Sequence, residues 1–210
     1  MKIALFGATG PTGKYLIEEA LASGHQVLVY GRNASRIRLT DNNVTLVIGQ
    51  IHDSAAVAKA LEGADAVISA LGPGFKSPPG TVIAKGIENI IDGMKKHGVK
   101  RLVQISTAST PDHNDGAGKM KVFKFVSSLL AKNYYNDVIA VAKAIRESGL
   151  DWTIVRVPRL YDGPLTAQLR VGYYGRTPLT MKLSRGNLAK FVFKQLTDFT
   201  HLHKAPGISD

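Results

Sequence analysis

The chain has 210 residues, enough for one domain with its own core. It carries 27 Lys and Arg against 16 Asp and Glu, a formal net charge of +11, and no cysteine, which excludes disulfides and thiolate metal sites. The basic residues are scattered, with no nucleic-acid motif and no basic tail, so the charge reads as solvated surface plus an anionic small ligand.

Residues 3–6 form a short apolar run that reads as a buried strand. Glycines follow at once, so the N-terminus does not read as a secretion signal. A helix is expected over 12–23, with Leu16, Ala20 and Leu21 on one face and Gly24 ending it. Residues 27–30 and 44–48 read as the second and third strands. Residues 54–62 read as a short helix capped by Asp53 or Ser54. A fourth strand is expected at 66–69. A longer helix over 79–97 carries Ile83, Ile87, Ile90, Ile91 and Met94 at helical spacing. The fifth strand falls at 102–105 and the sixth at 153–157, with a long helix between them over 120–148. The last fifty residues are less regular, with a helix at about 185–197.

Short apolar strands alternating with helices predict a doubly wound parallel α/β sheet. Ligands of such sheets bind at the carboxyl ends of the strands. No linker or repeat interrupts the chain, so 1–210 is expected to be a single domain, with 158–210 shaping a substrate pocket. No apolar run approaches the roughly 18 residues that span a bilayer. A soluble cytoplasmic protein is expected, monomer or homodimer, binding neither nucleic acid nor membrane.

The first strand runs into GATGPTG, residues 7–13. Gly7 permits a tight turn, Gly10 lets a pyrophosphate approach the backbone, and Gly13 lets the helix pack close to the sheet. Thr9 and Thr12 can add hydroxyl donors. An NTPase phosphate loop is excluded twice: Ala8 stands where its first glycine is required, and Tyr15 replaces its Ser/Thr. The second strand ends in Tyr30-Gly31-Arg32-Asn33-Ala34-Ser35-Arg36. It lacks the carboxylate that holds a ribose 2′-hydroxyl, and Arg32 and Arg36 can clamp a 2′-phosphate, so NADP(H) is the expected cofactor.

The chain resembles the atypical short-chain dehydrogenases/reductases, and among them the biliverdin reductase B/flavin reductase-like NAD(P)-binding proteins. The resemblance is carried by GATGPTG, YGRNASR, GADAVISALG, HGVKRLVQISTAS and RESGLDWTIVRVPRLYDGPLT. It implies a Rossmann-type fold in which Gly7, Thr9, Gly10, Pro11, Thr12 and Gly13 hold the pyrophosphate. It places Gln50 and Ile51 beside the adenine, with Gln50 where the family usually has Asp. Ala70, Leu71 and Gly72 would line the ribose and nicotinamide side, and Val157, Pro158, Arg159 and Leu160 would meet the nicotinamide end. The hydroxyl ending the fifth strand falls at Ser106 or Thr107, and alignment by Ile105 favours Thr107.

Typical members carry Tyr-x-x-x-Lys on the long helix. Here the tyrosine aligns with Tyr134 and the lysine position is Val138. An unassisted tyrosine, with a pKa of about 10, is a poor acid near pH 7. The pattern suits an acceptor that spreads hydride charge over a conjugated ring, such as FMN, FAD or a quinone, with the cofactor site supplying orientation. A non-catalytic NADP(H)-binding sensor is the alternative, and an epimerase-like enzyme that recycles its cofactor is a third reading. No metal site is expected: His201 and His203 have no companion ligands at metal spacing.

Overall fold

The computed structural model describes residues 1–33, 41–72, 82–116, 132–166 and 168–210. Six parallel strands come first in the main sheet: β1 (Lys2–Phe6), β2 (Gln26–Gly31), β3 (Val44–Ile48), β4 (Ala66–Ser69), β5 (Arg101–Thr107) and β6 (Asp151–Val157). Their spatial order is β3-β2-β1-β4-β5-β6. The chain winds outward one way from β1 and the other way from β4, so the order reverses between these two strands. This is a Rossmann-like α/β fold.

The alternation of side chains along each strand decides which layer they join. Ala4 and Phe6 of β1 face α2 (Ser54–Ala60), α3 (Val82–Lys96) and α4 (Lys132–Arg146), packing with Val57, Ile87, Met94 and Ile145. Ile3 and Leu5 face the other layer, α1 (Gly13–Ala22) and α5 (Arg185–Lys194), packing with Leu16, Ile17, Leu188 and Val192. Both faces of the central strands are covered, which is why their sequences are continuously apolar. Helix α1 ends where Gly24, at φ +71°, accepts the left-handed conformation and His25 N–H donates back to Ala20 O at 2.9 Å.

The C-terminal quarter of the chain departs from the irregular tail that the sequence suggests. β10 (Gly207–Ser209) extends the main sheet parallel to β6, and β8 (Arg170–Gly172) closes its edge antiparallel to β10. A separate pair, β7 (Arg159–Tyr161) and β9 (Lys182–Ser184), runs parallel beside it. These strands have three residues each, too short to show a period-two pattern. β6 starts two residues earlier than expected and α5 ends three earlier. Of the long helix expected over 120–148, residues 120–131 lie outside the described ones.

Two buried arginines fix the sheet at opposite ends. Arg101 donates to Gln195 O, Asp151 O and Thr153 Oγ1, closing the C-terminus of α5. Arg156 is fully buried on β6. It forms a two-pronged ion pair with Asp115 at 2.7 and 2.8 Å, donates to Ala205 O and Thr110 O, and stacks over Tyr174. It thereby ties the loop after β5 to the last strand.

Candidate functional site

The loop after β1 meets the start of the segment after β4 at the point where strand order reverses. Ala70 N–H donates to Phe6 O at 2.9 Å. Gly7 has φ +82°, and a Cβ there would stand 2.7 Å from Ala70 C and 2.9 Å from Leu71 N. Only glycine fits both the angle and the gap. Gly13 packs still closer, because a Cβ would lie 1.6 Å from Ala8 O. A Cβ at Gly10 would meet only Gly7 O, at 3.5 Å, so the space beside it is open. Gly31, at the end of β2, lies against Thr9 Cγ2.

Helix α1 begins under this loop with no side-chain cap on its Thr12 N-cap and no acidic residue in its first turn. Helices α2 and α5 are instead capped by Asp53 and Ser184. A helix N-terminus with free N–H groups at the edge of a glycine cradle suits a pyrophosphate. The residues present therefore fit a dinucleotide.

Arg32 follows β2 and is exposed; Arg36 lies outside the described residues. Gln50 is exposed at the end of β3, and Ile51 is half-buried. Ala70 and Leu71 are half-buried, and Gly72 is exposed. The sequence predictions at 7–13, 32, 50–51 and 70–72 thus fall along one edge of the sheet, at the carboxyl ends of β1, β2, β3 and β4.

At the ends of β5 and β6, Ser106 and Thr107 stand opposite Arg156 and Val157. Ser106 Oγ pairs with Thr110 Oγ1 at 2.7 Å, and Thr107 Oγ1 with Ser109 Oγ at 2.6 Å. Tyr134 on α4 hydrogen-bonds Thr107; burial raises the Tyr134 pKa, and the Thr107 bond offsets this in part. Val138, one turn on, is buried. The structure brings Thr107 and Tyr134 together and turns Ser106 to a different hydroxyl. Pro158 and Leu160 are half-buried and Arg159 exposed where the chain leaves β6.

Several polar side chains that shape this edge escape sequence reasoning. Gln104 on β5 is buried and donates Nε2 to Leu71 O at 2.9 Å and Ile105 O at 2.6 Å, holding the segment after β4. Asp137 on α4 is buried and accepts the Ala84 N–H at 3.2 Å; burial raises its pKa, and the Ala84 and Ile83 N–H groups at the start of α3 offset this. Tyr15 Oη donates to Asp162 at 3.4 Å, and Arg185 pairs with the same carboxylate at 2.9 Å, linking α1 to the segment after β7. The available signal was a polar residue inside an apolar pattern, as in Leu-Val-Gln-Ile and Ile-Glu-Asn-Ile-Ile. Among the described residues, no group of His, Asp and Glu could hold a metal ion, and no helix is long and apolar enough to cross a membrane.

A reversing parallel sheet with a glycine cradle at the switch point defines a dinucleotide-binding protein. Comparison with known proteins agrees: the profile of the NAD(P)H-binding family matches residues 7–199, and the chain belongs to that family. Over its whole length the chain is similar to a short-chain dehydrogenase/reductase of Veillonella parvula solved with NADP, at 21% identity, 94% of that chain and TM-score 0.80. It is likewise similar to an anaerobilin reductase of Escherichia coli O157:H7, at 19% identity, 97% of that chain and TM-score 0.76. These likenesses establish a shared Rossmann-like fold. An uncharacterized chloroplastic protein of Arabidopsis thaliana is 28% identical over 80% of this chain, and the match spans 62% of that relative's length.

Proposed function

We propose that the protein is an NADPH-dependent oxidoreductase that passes hydride to a small conjugated acceptor, a flavin or a quinone, as a cytoplasmic monomer or homodimer. The observation that carries this reading is Val138. It buries an apolar side chain where a lysine would activate Tyr134, while burial pushes the Tyr134 pKa further up. When bound, the reduced nicotinamide supplies the hydride. The N-terminus of α1 and the cradle from Gly7 to Gly13 take the pyrophosphate, and Arg32 with Arg36 takes the 2′-phosphate. Gln104 and Gly7 hold the Leu71 segment, and Val157 with Pro158 borders the other side. Thr107 aligns the Tyr134 hydroxyl, which keeps its proton at neutral pH and donates a hydrogen bond to the acceptor. Water completes the protonation.

Arg32→Asp is expected to reverse the cofactor preference, because a carboxylate accepts from a ribose 2′-hydroxyl and repels a 2′-phosphate. The ratio of kcat/KM for NADPH over NADH should fall by about 100-fold or more. An unchanged ratio contradicts the 2′-phosphate assignment.

Tyr134→Phe separates this reading from carbonyl reduction. Losing a general acid costs about 10²–10⁴-fold. With a flavin or quinone acceptor the loss should stay within about fivefold, since orientation supplies most of the rate. The raised pKa keeps Tyr134 protonated up to and beyond its ordinary value of about 10, so no basic limb from this residue should appear between about pH 6 and 9. A loss in the general-acid range, or a limb within that window that vanishes in Tyr134→Phe, would sink the reading. The second reading, a cofactor-binding sensor, draws on the same Val138 and predicts NADPH binding without turnover.

A further inference from the structure

The turn between β3 and α2 carries Gln50 and Ile51, and its two carbonyls are held by buried side chains from other elements. Tyr30, on β2, donates Oη to Gln50 O at 3.1 Å. Its ring is buried and packs on Phe6 at 5.2 Å. Gly49 makes that bond possible, since a Cβ there would stand 2.1 Å from Tyr30 Oη. Asn89, on α3 and 6% exposed, donates Nδ2 to Ile51 O at 2.8 Å. One turn earlier, Gly86 opens the slot that Ile51 fills, with a Cβ there only 2.4 Å from Ile51 Cγ1. The Gln50 carbonyl also accepts the Asp53 N–H at 3.0 Å. Both carbonyls are thus engaged by protein. The Ile51 N–H and the exposed Gln50 amide make no hydrogen bond among the described residues.

We propose that Tyr30 and Asn89 are positioning residues of the adenine site. They grip the carbonyl side of the turn and so present the Ile51 N–H and the Gln50 amide, at fixed geometry, to the hydrogen-bonding edge of a purine. The proposal rests on the NADP(H) reading above and adds to it the buried supports of the base-recognition turn. Loss of Asn89 leaves the Ile51 carbonyl without its side-chain partner, and loss of the Tyr30 hydroxyl leaves the Gln50 carbonyl with the Asp53 N–H alone, so the turn's outward groups are free to wander. The penalty therefore falls on the adenosine half of the cofactor and spares the nicotinamide half.

The test uses the full chain and two half-ligands. Binding of 2′,5′-ADP is measured by calorimetry, and binding of reduced nicotinamide mononucleotide by its fluorescence, with folding checked by circular dichroism. Asn89→Leu and Tyr30→Phe should each weaken 2′,5′-ADP by about tenfold and leave reduced nicotinamide mononucleotide unchanged. Tyr30→Phe keeps the ring volume and remains informative should Asn89→Leu fail to fold. Unchanged 2′,5′-ADP affinity in a folded variant overturns the proposal, and so does equal weakening of both halves, which would mark general loosening. Wild-type protein that binds neither 2′,5′-ADP nor NADPH overturns the cofactor reading, and the proposal falls with it.

Discussion

Gly13→Ala should weaken NADPH binding by about 100-fold or more and destabilise the fold, whereas Gly10→Ala should do only the first. The difference lies in what each new methyl group meets. At position 13 it would stand 1.6 Å from Ala8 O and 2.3 Å from Ala8 C, all backbone, so α1 must lift away from the loop that it supports. Overpacking of this kind costs about 1–3 kcal/mol or more, and a cradle displaced from its helix should lose about 100-fold or more in affinity. At position 10 the methyl group would meet only Gly7 O, at 3.5 Å, in a non-strained conformation. The free protein tolerates it, but it occupies the space through which a pyrophosphate reaches the backbone. Thermal melts and NADPH titrations of the two variants check this directly. Equal NADPH affinity for Gly10→Ala and wild type would show that no phosphate approaches there.

Arg156→Met is expected to cost about 3–5 kcal/mol, because it strips Asp115 of a two-pronged partner in a dry environment. The guanidinium also satisfies Ala205 O and Thr110 O, so one substitution frees the loop after β5 and the approach to β10 together. Urea unfolding measures the loss. Adding Asp115→Asn should recover part of it, since the desolvated charge is then gone. A double variant no more stable than Arg156→Met would mean that the ion pair contributes through shape alone. Thr107, which hydrogen-bonds Tyr134, directly precedes this loop, so the fall in kcat in the same variants should stay within the roughly fivefold expected of Tyr134→Phe.

The strands and glycine cradle were legible because each reports a strong local constraint. Residues 3–6 and 66–68 are apolar on both faces since two helix layers cover them, and Gly7 and Gly13 stand where any side chain would strike backbone. β8 and β10 were not legible, because three residues cannot declare a period and their pairing is decided by distant partners. Thr107 and Tyr134 were each placed by alignment of their own segment, and the hydrogen bond between them appears only in the folded sheet. The supporting polar residues Gln104, Asn89 and Asp137 were missed because their partners lie 33, 38 and 53 positions away. Only the folded sheet brings such carbonyls and amides to them. Arg36, the second half of the expected 2′-phosphate clamp, falls outside the described residues.

The proposed reaction is hydride transfer to a conjugated ring by a site whose tyrosine has a buried valine, Val138, where a lysine would activate it. It is tested most directly by mixing the protein anaerobically with a flavin or quinone and NADPH deuterated on one face or the other of the nicotinamide C4, and following acceptor reduction. Protein-dependent reduction that slows with deuterium on one face and not on the other is expected. Tight binding of NADPH with no reduction of any flavin or quinone would contradict it.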